Sequence, residues 1–246
     1  MYKRLMTMLA LCLGALLIST ACLISSMRGS GEVITVTRPV SNFDHVSLSG
    51  VGTLIIQQGE QESLEIEAED NLLEHIRTEV HGQTLEIGID NAGWRQSIQP
   101  TKPIRYYLTV IDLSGISISG AGNVETGEID TDVLLVAASG AGNIEIDGLR
   151  ANRFGLELSG AGNCTIRAGQ VGVQTVDISG AGNYESGNLE SQQATIRISG
   201  LGNATLWANE SLDIEISGAG NVDYFGSPQV TQQISGLGKV EHQELP

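Results

Sequence analysis

Three kinds of side chain recur in this sequence at spacings that could do chemistry. Carboxylates come first: Glu125, Glu145, Glu185, Asp223 and Glu241 each stand two residues after a recurring Ser-Gly-Ala-Gly-Asn pentapeptide, and Thr165 and Thr205 fill the same place in other copies. If the copies stack, these residues line one face at intervals of about 5 Å, where like charges repel. A stripe of this kind either solvates a face or offers a cation-bridged surface for an anionic glycan or a basic partner. The second kind is the pentapeptide's own amide, at Asn123, Asn143, Asn163, Asn183, Asn203 and Asn221. An Asn repeated at one position of a stack can hydrogen-bond to the rungs above and below it. The third is the Gly-x-Gly step, which opens phosphate-binding loops. Here no Gly-x-Gly-x-x-Gly leads into a helix and the motif recurs seven times, so the glycines read as corners, needed for positive φ or for close backbone approach. The middle residue, Ala or Leu, is expected to turn inward and plug the corner.

The spacing of the remaining candidates does not support catalysis or metal binding. The repeated Ser has no candidate base, and no Gly-x-Ser-x-Gly elbow is present. His45, His75, His81 and His242 are scattered without metal-ligand spacing. Calcium-binding β-rolls repeat every nine residues with Asp at a fixed place, whereas this period is 20 and the corner residue is neutral. Cys164 follows an Asn where other copies carry Val, Ile or Ala, which suits a small core residue. Arg153 and Arg167 could approach each other across a coil, too little for an active site. No catalytic residue, metal ligand or cofactor is assigned.

The elements that would position these residues follow from the period. Pentapeptides begin at Ser119, Ser139, Ser159, Ser179, Ser199, Ser217 and Ser235, so the spacing is 20 residues and then 18. Leu201 and Leu237 replace the alanine, Lys239 replaces the last Asn, and a degenerate copy, Ser49-Gly50-Val51-Gly52-Thr53, lies far upstream. Before six of the seven Ser the pattern is apolar, variable, apolar (Ile116/Ile118, Leu156/Leu158, Ile214/Ile216), and a second alternation follows most of the Asn residues. These are strands with one buried face. Strands so short cannot close a core alone, but stacked coils can. The expected fold is therefore all-β, a parallel β-helix with coils of about 20 residues.

Upstream, residues 32–104 read as an irregular half of the same solenoid, with strands at Val33–Val36, Val46–Leu48, Leu54–Ile56, Leu64–Ala68 and Leu85–Ile89. Asn71–Ile76 suits a helical turn capped by Asp70 or Asn71. Residues 92–103 read as a long loop, and 105–246 as the regular array.

Lys3 and Arg4, the apolar run Leu5–Ile18 and Ser19-Thr20-Ala21-Cys22 have the form of an export signal over residues 1–21. The cysteine after Ser-Thr-Ala resembles a bacterial lipobox, which implies acylation of Cys22 and a polar tether over 22–31. The chain carries 13 basic and 29 acidic residues, net −16; losing Lys3 and Arg4 with the signal leaves 11 against 29, or −18. This field excludes nucleic acid and any basic membrane-binding face.

The text Phe43–Gly52, Leu85-Glu86-Ile87, Tyr107–Val110 and the corners from Ser119–Asn123 onward resembles the bacterial auto-transporter adhesin head GIN domain family, over about residues 33–240. The resemblance implies a right-handed β-helix on exported, often lipid-anchored proteins, and it carries no catalytic residues with it. Thr53 and Lys239 depart from the motif at the ends of the Asn column. The reading is a non-enzymatic envelope lipoprotein whose partner is a surface glycan or an envelope protein. The alternatives are a glycan-active β-helical enzyme, or a scaffold or sensor pairing through the last coil. Its membrane contact would run only through the lipid anchor, and its oligomeric state is left open.

Overall fold

A computed structural model describes residues 25–89 and 96–244. The signal, Cys22 and the loop residues 92–95 lie outside the described residues. The chain forms a nearly all-β solenoid of stacked parallel coils of about 20 residues. Each coil has three sides. The first side carries the strand before the corner, the second the strand after it, and the third a short strand before the next coil begins.

The elements are β1 (Ser25–Arg28), β2 (Val33–Arg38), β3 (His45–Gln58), β4 (Ser63–Glu69), a 3-10 helix (Asp70–His75), β5 (Ile76–His81), β6 (Thr84–Ile89) and β7 (Gln96–Gln99). The array follows as β8 (Arg105–Val110), β9 (Gly115–Ala138), β10 (Ile144–Leu158), β11 (Asn163–Ile166), β12 (Gly169–Ile178), β13 (Ala181–Ile198), β14 (Leu201–Ile216), β15 (Ala219–Phe225), β16 (Gln229–Ile234) and β17 (Leu237–His242). From β9 to β17 successive coils pair in parallel, with equivalent residues opposite each other.

The degenerate copy is one rung of this column. Ser49 to Thr53 pair residue for residue with Ser119 to Asn123. The other edge of β3 pairs in parallel with β6 and β8, so these two strands lie outside a coil that precedes them in sequence. Beyond it the stack ends in antiparallel pairs, β4 on β8, β2 on β4 and β5 on β6. The 3-10 helix buries Leu72 and Leu73 under this end. Its N-cap is Glu69, with no side-chain cap bond, rather than Asp70 or Asn71.

The expected tether and loop are partly strands. Ser25–Arg28 pairs in parallel with Gln96–Gln99, and Gly29 N–H donates to the Gln99 carbonyl at 3.0 Å. Glu69 fixes this ribbon to the body. Its buried carboxylate accepts from Gly31 N (2.7 Å), Thr101 N (2.8 Å), Thr101 Oγ1 (2.5 Å) and Lys102 N (3.3 Å). The Thr101 hydroxyl contributes most to holding its pKa below the ordinary 4.5; burial opposes this, and the backbone donors add to the lowering.

Inside, the columns are aliphatic with a few size-matched exceptions. Tyr184 is fully buried between Cys164 and Ala204, the small residues of its column. Its ring stacks on Phe154 at 6.2 Å. Its hydroxyl donates to Gln174 Oε1 (2.9 Å), Gln174 Nε2 donates to Ser191 Oγ (2.8 Å) and to the Trp207 carbonyl (3.0 Å), and Ser191 Oγ donates to that carbonyl (2.6 Å). Every polar atom named here has a partner, the condition for burying such a network.

The corners differ from expectation in one respect. Ala121, Ala141, Ala161, Ala181 and Leu201 point to solvent, while the second glycine of each corner is buried. The in–out alternation of the flanking strands runs straight through the corner, which places the middle residue and the Asn outside. The glycines are needed because the coils touch there. Ala161 N–H donates to the Gly140 carbonyl at 3.0 Å, and a Cβ on Gly160 would sit 1.9 Å from that same oxygen. Positive φ is confined to Gly50, Gly52 and Gly120 among the corner glycines.

Candidate functional site

The second side carries the acidic stripe. Glu125, Glu145, Thr165, Glu185, Thr205, Asp223 and Glu241 are in direct register from coil to coil, and the column continues through Ile55 and Tyr107 to Glu65. Parallel pairing without a shift along this side is what aligns them. The stripe is less bare than its sequence. Arg167 Nη2 meets Glu145 Oε2 at 2.5 Å and its Nε meets Asp147 Oδ1 at 3.1 Å. Gln243 Nε2 donates to Asp223 Oδ1 at 2.9 Å, and Lys239 pairs with Glu241. Glu125 and Glu185 keep open carboxylates that could take part in a cation-bridged contact.

The corner amides stand beside the stripe, on the outer surface. Asn163 Oδ1 accepts from Asn183 N (3.1 Å) and Nδ2 (3.0 Å), Asn183 Oδ1 from Asn203 (3.2 and 3.1 Å), and Asn203 Oδ1 from Asn221 (3.1 and 3.2 Å). Asn143 N donates to Asn123 Oδ1 and Asn163 Nδ2 to Asn143 Oδ1, both at 3.0 Å. With each oxygen used by the next coil, the column offers little free hydrogen-bonding capacity to a ligand, and its chemistry is spent on stacking.

Among the grooves in the surface of the array, two bear on function. One, of about 800 Å³, runs along the third side among Gln58, Glu128, Asp130, Asp147, Arg150 and Glu190. Arg150 lies 3.4 Å from Asp130 there. Among the described residues no three His, Cys, Asp or Glu side chains converge in a way that could hold a metal ion.

The other groove, of about 400 Å³, lies on the first side and no motif in the sequence marks it. The outward positions of that side form a grid: Gly115 and Ser117; Val133, Leu135 and Ala137; Arg153, Gly155 and Glu157; Val173, Thr175 and Asp177. Gly155 lies between Leu135 and Thr175, so a notch opens where neighbouring rungs carry side chains. His45 covers Gly115, where any Cβ would fall within the imidazole. A signal for this groove existed in the sequence: small residues at outward strand positions of adjacent coils, read across the period instead of along the chain.

The two arginines that the sequence suggested could approach each other are apart. Arg153 lines the first-side groove, and Arg167 lines a separate one with Thr165 and Glu185. Cys164 is fully buried, and burial pushes its thiol up to about 12, the state of an inert core cysteine. Among the described residues no helix is long and apolar enough to cross a membrane.

The architecture has solved counterparts. A putative adhesin from Bacteroides fragilis is 27% identical, with a TM-score of 0.83 over 88% of this chain and 100% of that one. A putative lipid binding protein from Parabacteroides distasonis is 20% identical with a TM-score of 0.71, over 89% of this chain and 100% of that one. A putative adhesin from Parabacteroides merdae is 19% identical with a TM-score of 0.67, over 90% and 99%. The last two show the shared fold alone. No curated protein matches the chain. The family model described as "Putative auto-transporter adhesin, head GIN domain" matches residues 42–228, which takes in the degenerate first corner and six of the seven later ones, and the chain belongs to that family.

Proposed function

We propose that the protein is a non-enzymatic binding module of the cell envelope, exported and held at a membrane by a lipid on Cys22, whose long faces engage a surface glycan or an envelope protein. The observation that carries this reading is the unbroken register of the outward columns on the second side. A surface that repeats carboxylates and hydroxyls at about 4.8 Å suits an extended partner held by many weak contacts. Family membership supports an adhesive role.

The test is a glycan and matrix-protein array probed with residues 23–246, with calcium and with chelator. A saturable hit that disappears when Glu125, Glu145 and Glu185 are changed to Gln supports the stripe as the binding face. Silence under both conditions overturns the adhesive reading. Anchoring is tested separately: metabolic labelling with a fatty acid is expected for the full chain and is lost in Cys22→Ser. A second reading, a glycan-active enzyme, is favoured by Glu157 and Asp177, which stand on adjacent rungs and line one groove with Arg153. Shortened or unsaturated products from an acidic polysaccharide would establish it.

A further inference from the structure

The first-side groove is set apart from the rest of the surface by an uncommitted cation. The array is rich in carboxylates, and they engage its other cations: Arg105 pairs with Glu67, Arg150 with Asp130, Arg167 with Glu145 and Asp147, Arg197 with Asp177 and Glu215, and Lys239 with Glu241. Among the described residues from 105 to 244, Arg153 is the one cation without an acidic partner. It stands between Val133 and Val173 in its column and forms no ion pair with the carboxylates that share its groove. In a chain of net −16, an open guanidinium at the rim of a groove is free for a carboxylate from outside.

The surroundings narrow the class of ligand. Gly155 and Ala137 form a shallow apolar floor, and Leu135, 51% exposed, forms its wall. Ser117, Thr175, Glu157 and Asp177 supply hydroxyls and carboxylates across the groove from Arg153. Its volume of about 400 Å³ falls within the roughly 300–1,000 Å³ typical of small-molecule sites. An apolar face, a ring of hydroxyl donors and a single carboxylate describe a uronic acid. A fatty acid has no hydroxyls for Glu157 and Asp177 to accept from, and a phosphate dianion would meet both of those charges. We propose that this groove binds a uronate residue of an acidic glycan, with Arg153 holding its carboxylate and Leu135, Ala137 and Gly155 packing against the C–H face of the sugar. The proposal rests on the binding-module reading but uses a different face from the acidic stripe.

The experiment is titration of the protein with tetramers of galacturonate, glucuronate and mannuronate, followed by isothermal calorimetry and by perturbation of backbone amide resonances. The methyl-esterified tetramers and dodecanoate serve as comparison ligands. We expect saturable binding of at least one free-acid tetramer, with perturbed amides confined to residues 115–117, 133–137, 153–157 and 173–177. Arg153→Ala is expected to weaken it at least about tenfold, the loss of one charge-assisted bidentate contact. Gly155→Val should abolish it by filling the floor, since a Cβ there meets only the mobile end of Leu135 at 2.9 Å. Arg150→Ala should leave it unchanged. Binding by no free-acid tetramer, equal binding by the methyl esters, displacement by dodecanoate, or unaltered affinity in Arg153→Ala would each overturn the proposal. If the array finds a partner lost with the stripe while the tetramers fail, the module reading stands and this site falls.

Discussion

A corner glycine in this solenoid is defined by the oxygen beneath it. A Cβ on Gly162 would lie 2.1 Å from the Gly142 carbonyl oxygen, a backbone atom that cannot turn aside. At Gly187 the same Cβ meets Phe225 Cε2 at 2.9 Å, a side chain that can move. Gly162→Ala should therefore lower stability by several kcal/mol, beyond the range of about 0.5–3 kcal/mol common for single substitutions, and Gly187→Ala should stay within it. Equal shifts in denaturation midpoint would refute the stacking explanation. The amide beside it is exposed, so water can take over its bonds. Asn163→Ala is expected to cost about 1 kcal/mol, the ordinary net value of a hydrogen bond. Cys164 gives a chemical check. Its thiol is held protonated in the fold, so the associated stability is full below pH 9.0, the ordinary thiol value, and declines as pH rises towards about 12. Alkylation with iodoacetamide at pH 8 should wait for unfolding; rapid labelling of the native protein would contradict the burial.

At the scale of elements, the strands obey one alternation but the coils are not interchangeable. Coils of 20 residues give way to coils of 18, and the missing length is taken out on the third side, where the β13–β14 register shifts between Ser186/Glu190 and Ser191/Gln193. The first and second sides keep their columns because the shift is confined there. The buried network of Tyr184, Gln174 and Ser191 sits at this junction, its bonds converging on the Trp207 carbonyl. Tyr184→Phe leaves Gln174 Oε1 without a donor and should cost about 1–3 kcal/mol. Gln174→Leu strands the Tyr184 hydroxyl in the same way. The double variant should be less unstable than the sum of the two, because neither orphan remains. Strict additivity would show that the bond couples nothing. The strands themselves were legible from the apolar-variable-apolar pattern. Their neighbours were not. That Gln174 is an inward residue is visible from its place between Leu134, Phe154 and Ala194 in one column, yet what it would bond to depends on a coil 33 residues away.

Across the whole molecule, the repeat made the array readable, and the absence of a repeat hid the other end. Nothing in Leu85–Ile89 or Tyr106–Val110 says that they stack outside His45–Gln58, because parallel pairing leaves no local turn signal to declare its partner. The β1–β7 ribbon was hidden for the same reason, and the groove around Gly155 because it exists only between coils. Glu69 is the group on which this end depends. Its carboxyl is held below 4.5, so the stability it confers is present above that value and is lost as pH falls through the lower folded value. Protection of the Gly31 and Thr101 amides, relative to their intrinsic exchange rates at each pH, should fall in acid, and Glu69→Gln should show low protection already at neutral pH. Unchanged protection in that variant would remove Glu69 from the role. The out-of-order strands have a mechanical consequence. A pull on the C-terminal end peels β17, β16 and β15 one rung at a time, each released before the next is loaded. A pull from the N-terminal side reaches the body through the six paired residues of β2 and the bonds gathered on Glu69, and behind them β3 is gripped on both edges by strands that follow it in sequence. The molecule resists traction unequally from its two ends, and the strong end is the one an anchored protein would have tied to the cell.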